Sequence, residues 1–74
     1  MAERPVKDQL VSQLKYALQR ERISQARYLE SAKLARIPEL QRLLLKLAAD
    51  EAVHELRLRK WIERLGAAPA GARD

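Results

Sequence analysis

The sequence predicts an all-α protein, two long helices folded back on one another as an antiparallel hairpin. Three observations carry this expectation. Helix breakers stand only at Pro5, Pro38, Gly66, Pro69 and Gly71, which leaves two long uninterrupted stretches. Both stretches are rich in Leu, Ala, Arg, Lys, Gln and Glu, residues that lose little freedom on becoming helical. Each also carries an apolar stripe, at about 100° per residue, that one helix cannot hide alone.

The first helix is expected from about Pro5 to about Ala35. Leu10, Leu14, Ala17, Glu21, Ser24, Tyr28, Ala32 and Ala35 fall on one arc of it, with Glu21 near the centre. A second apolar line, Tyr16, Ile23 and Leu34, suggests that more than one face is used and that the assembly exceeds a dimer. The connection at Arg36 and Ile37 is tight, and Ile37 lacks the side-chain oxygen of a good cap. Pro38 suits the first turn of the second helix and Gly66 its end. That helix groups Leu40, Leu43, Leu44, Leu47, Glu51, His54, Leu58, Trp61, Ile62 and Leu65. Residues 1–66 thus form one helical domain, and residues 67–74 a flexible tail.

A chain of 74 residues is short for a self-sufficient core, so metal or self-association is needed where disulfides are missing. Cysteine is absent, which fits a reducing compartment. No run approaches the ~18 apolar residues of a membrane span, and residues 1–6 lack a signal-peptide layout. The reading is a soluble, cytoplasmic protein with no membrane partner. A net charge of +5 raises nucleic acid as a partner. The basic residues are scattered through both helices, however, and only Tyr16, Tyr28 and Trp61 could stack on bases, which argues against it.

Glu21, Glu51 and His54 interrupt the apolar stripes. A buried, ionised carboxylate normally neutralises, pairs or binds a cation. Glu51 and His54 form Glu-x-x-His, which sets both side chains on one helix face. Glu21 lies about fourteen residues before the connection and Glu51 about fourteen after it, so closing the hairpin brings the three to one level. The blander readings are separate: Glu21 paired with Arg20, Arg22 or a lysine, His54 as a satisfied core histidine, Tyr28 as an interface aromatic, Trp61 as packing, and Glu55 with Arg59 as a surface pair. Convergence of all three donors favours metal ligation. One chain supplies half of the four-Glu, two-His set of ferritin-like di-metal bundles, and two hairpins would complete a four-helix bundle. Carboxylates with one imidazole per ion suit iron or manganese, and zinc is compatible.

Here the chain resembles the encapsulated ferritins, two-helix relatives of ferritin and rubrerythrin. The matching residues are Glu21, Tyr28 seven positions on, Pro38-Glu39-Leu40, Asp50-Glu51, His54, and Trp61 a further seven on. The resemblance covers Glu21 to Arg64. It implies a ferroxidase in which two Fe(II) ions bind between subunits and are oxidised by dioxygen. Glu21, Glu51 and His54 would be the ligands and catalytic residues, with Tyr28 beside them. It also implies a homodimer assembling into a ring, inside an encapsulin shell that holds the mineral. No shell-docking peptide is read in residues 67–74, and Glu30 or Glu55 are the acids that would draw Fe(II) in. The rival from another class is a non-enzymatic basic hairpin, an oligomerisation or nucleic-acid-binding module. A dimanganese redox protein would use the same ligands.

Overall fold

The computed structural model describes residues 6–67. Two helices account for nearly all of it: α1, Val6–Leu34, and α2, Pro38–Arg64. They pack against each other along their length as the expected hairpin. The breakers act where expected: Pro38 occupies the first turn of α2, and Ile37 precedes it in extended conformation without a side-chain cap.

Both ends of the connection are closed by other means. Gln41 donates its Nε2 to the carbonyl of Ala32 at 2.9 Å, satisfying one of the carbonyls that a helix end leaves orphaned. At the far end of α2, Gly66 adopts φ +86°, a left-handed conformation that a Cβ disfavours. The Gly66 amide then bonds to the Glu63 carbonyl and the Ala67 amide to that of Ile62, the paired closure of a Schellman turn.

The core is thin. Among the described residues the buried apolar side chains are Leu18, Ala32, Ala48 and Ile62, of which Leu18 and Ile62 are fully buried. This corrects the expected stripes. Leu18 and Ala48, which the arcs left out, lie on the seam, while Leu10, Leu40, Leu43 and Trp61 remain about half exposed. The apolar surface of each helix is wider than one neighbour can cover, so a single hairpin buries only the strip facing its partner helix. Tyr16, Ile23 and Leu34, the second line, are also exposed. Trp61 is not core packing within the hairpin; the Arg64 guanidinium lies 4.3 Å from the centre of its ring, a cation–π contact. The proposed tail falls outside the described residues from residue 68 onward. Among the described residues no helix is long and apolar enough to cross a membrane.

Candidate metal centre

The hairpin brings Glu21, from the middle of α1, against Glu51 and His54, from the middle of α2. One ligand atom from each can be chosen so that all lie within 4.8 Å of one another. His54 Nδ1 stands 3.1 Å from Glu51 Oε1 and 3.4 Å from Glu21 Oε1. The i, i+3 spacing does what a helix makes it do, placing imidazole and carboxylate on one face.

The three groups sit on the flank of the seam rather than in its centre. Glu21 and Glu51 are largely covered, with 25% and 19% of their side chains exposed, whereas His54 keeps 50%. The expectation of three groups deep in the apolar stripe is corrected to a cluster half open on one side of the hairpin. The groove beside Glu21 and Glu51 also carries the exposed Tyr16 and Ile23.

The electrostatics of the cluster are those of a site short of positive charge. Hydrogen bonding to Glu51 pushes the Glu21 carboxyl above its ordinary value, and burial and the Glu51 charge act in the same direction. The same hydrogen bond holds Glu51 below its ordinary value. The two adjacent carboxylates thus differ in proton affinity, Glu21 holding its proton more tightly than Glu51. The His54 imidazole is raised, first by its hydrogen bond with Glu51 and also by the Glu21 charge. Glu21 Oε1 is buried without a hydrogen-bond partner. Such an oxygen costs free energy where it stands, and a cation would satisfy it. The donor set of two carboxylates and one imidazole therefore fits iron or manganese.

Residues 12–72 match the protein-family model for rubrerythrin. That span covers most of both helices and all three donors. The chain belongs to the rubrerythrin family. Membership implies di-iron binding of the ferritin-like kind, and the Glu21, Glu51 and His54 group is where this chain could hold metal. No curated protein and no solved structure matches the chain.

Tyr28 is half-buried on α1, seven residues from Glu21, about 10 Å along the axis by helical rise. One group went unread in the sequence. Across the same seam, Glu55 accepts from Arg22 Nε at 2.9 Å and from Gln25 Nε2 at 2.8 Å. Glu55 is thus tied across the hairpin rather than serving as a surface pair or a free acid for drawing in Fe(II). Gln25 and Glu55 stand seven residues from the buried pairs Leu18 and Ala32, and Ala48 and Ile62. That spacing was the available signal.

Proposed function

We propose that this rubrerythrin-family chain is a ferroxidase whose di-iron site is completed by a second copy. The observation that carries the reading is the buried, unpartnered Glu21 Oε1 within a two-carboxylate, one-imidazole cluster. One hairpin supplies three donors, half of the four-Glu, two-His set. The groove lined by Glu21 and Glu51 is also lined by Tyr16 and Ile23, both exposed, and a second hairpin laid on it would cover them. A twofold axis through the cluster sets two ions side by side.

In this reading Glu21, Glu51 and His54 are ligands, and Fe(II) is substrate as well as occupant. Two ferrous ions at one site supply two electrons together to dioxygen. The protein's own part is to gather the ions and give up protons. Any proton held by Glu21, Glu51 or His54 must leave as a cation binds. Resemblance to the encapsulated ferritins supports a place for Tyr28 beside the ligands. The same resemblance supports a ring of dimers, iron storage or detoxification as the role, and an encapsulin shell as the place where mineral is held.

The test is metal content per chain after anaerobic Fe(II) loading and desalting, with Glu51→Ala as control. About one iron per chain, lost in the variant, is expected from two ions per pair of chains. No retained iron in the unaltered protein would sink the proposal and favour a metal-free hairpin.

A further inference from the structure

Next to the donor cluster, across the same seam, lies the polar group formed by Arg22, Gln25 and Glu55, which metal binding leaves unused. Arg22 follows Glu21 in the chain, and Glu55 follows His54. Consecutive helical residues diverge by about 100°, so these neighbours stand beside the donors at the same level of the hairpin. Both groups span the two helices: the cluster by Glu21 to His54, the other by Arg22 and Gln25 to Glu55.

We infer that Arg22, Gln25 and Glu55 are positioning residues, a clamp that fixes α2 on α1 in the register that sets Glu21 against Glu51 and His54. The inference rests on the metal-site reading for its purpose, though not for its geometry. Apolar contact is non-directional, and two of the four buried side chains are alanines, so the core alone specifies register weakly. The middle step of each seven-residue ladder is polar instead, Gln25 between Leu18 and Ala32 and Glu55 between Ala48 and Ile62. A polar residue in that place fixes alignment at some cost in stability. A slip of one residue moves a helix by about 1.5 Å. Hydrogen bonds useful over about 2.7–3.2 Å do not survive it.

The clamp has a second effect on the donor set. Glu55 stands four residues after Glu51 and so shares its helix face. Unrestrained, it would be a further carboxylate competing for the cation. Arg22 and Gln25 occupy both of its oxygens, which keeps the set to two carboxylates and one imidazole.

Glu55→Gln tests this, because the amide presents N–H groups to a position lined by donors. The compensating pair Gln25→Glu with Glu55→Gln returns an acceptor opposite that amide. The full-length protein is titrated with Co(II) alone, reading affinity and visible absorption. The imidazole NMR signals of His54, the one histidine of the chain, are read in metal-free protein at fixed pH, and helix content by circular dichroism. Glu55→Gln is expected to weaken Co(II) binding about tenfold or more, change its absorption and move the imidazole signals. The compensating pair is expected to restore all of these. Should Glu55→Gln fail to fold, Arg22→Lys, which keeps the charge and loses the planar fork, takes the same measurements.

A lowered melting temperature with unchanged Co(II) affinity and unchanged imidazole signals would reduce the clamp to an ordinary stabilising contact and overturn the inference. If the unaltered protein binds no Co(II), the metal reading fails, and the imidazole signals decide alone. Signals that move in Glu55→Gln and return in the compensating pair uphold the clamp as the device that holds the three side chains together. Signals that stay put overturn it.

Discussion

Glu21 and Glu55 are the same side chain at the same level of one hairpin, similarly covered, with 25% and 20% of the side chain exposed. Their surroundings are opposite. Glu55 accepts from an arginine and a glutamine, and the Arg22 hydrogen bond, then that of Gln25, holds its carboxyl below the ordinary value. Glu21 has an orphaned oxygen and a second carboxylate for a neighbour, and its carboxyl is pushed up. Burial does not distinguish the two; partners do. A carboxylate with every oxygen satisfied is a tie between helices, and one that costs energy in the metal-free fold is held ready for a cation.

The largest expected effect follows from that contrast. Glu21→Gln keeps the shape and removes the charge, so it should abolish iron retention while leaving metal-free stability unchanged or higher, because the fold already favours the neutral carboxyl. Iron per chain and thermal melting in chelator read the two halves. A melting temperature that falls in chelator would mean that Glu21 is a structural carboxylate like Glu55, and the comparison would collapse.

Next in size is the pH dependence of metal binding. Ligands must lose protons to bind. The hydrogen bond to Glu51 raises the His54 imidazole above its ordinary value, so proton competition sets in at higher pH than for an unperturbed imidazole. Affinity for Co(II) should fall by up to about tenfold per unit once His54 is protonated. A flat profile between pH 8 and 6 would take His54 out of the ligand set.

Much of this was legible in the chain. Pro38 and Gly66 marked the turn and the end because their backbone restrictions act locally, whatever packs around them. Glu51 and His54 were legible as a pair because i, i+3 geometry is fixed by the helix itself. Glu21 joined them because equal distances from a short connection translate directly into equal height. What the stripes could not give was their rotation. A repeat drawn at 3.6 drifts by about 20° per heptad from one drawn at 3.5, and each arc was wide enough to serve two neighbours. Leu18 and Ala48 were therefore passed over in favour of Leu10 and Trp61. Arg22 and Gln25 stayed hidden for a related cause: a polar residue on a seam reads as surface until its partner on the other helix is known.

A smaller effect is expected at the clamp. Glu55→Ala removes an acceptor shared by two donors and should cost about 1 kcal/mol, trimmed by the partial exposure of Arg22. Since the folded state holds Glu55 below its unfolded value of about 4.5, its contribution is present above that pH and lost as pH falls through the depressed value. The gap between the unaltered protein and Glu55→Ala, followed by denaturant melts in chelator, should therefore close on acidification below pH 4.5. A gap that persisted to pH 2 would mean that Glu55 acts by packing rather than by charge.

The smallest effect belongs to a carboxylate with neither role. Glu30 lies 4.0 Å from Lys33, with 69% and 76% of the two side chains exposed. At that separation and exposure the pair sits in water, where solvent and salt screen the attraction and ordering two long side chains offsets it. Glu30→Gln should leave the melting temperature, Co(II) affinity and the His54 imidazole signals unchanged. Were any of them to move as they do for Glu55→Gln, the effect at Glu55 would reflect the loss of any negative charge from this basic chain, and the link from partners to purpose would have to be drawn from Glu21 alone.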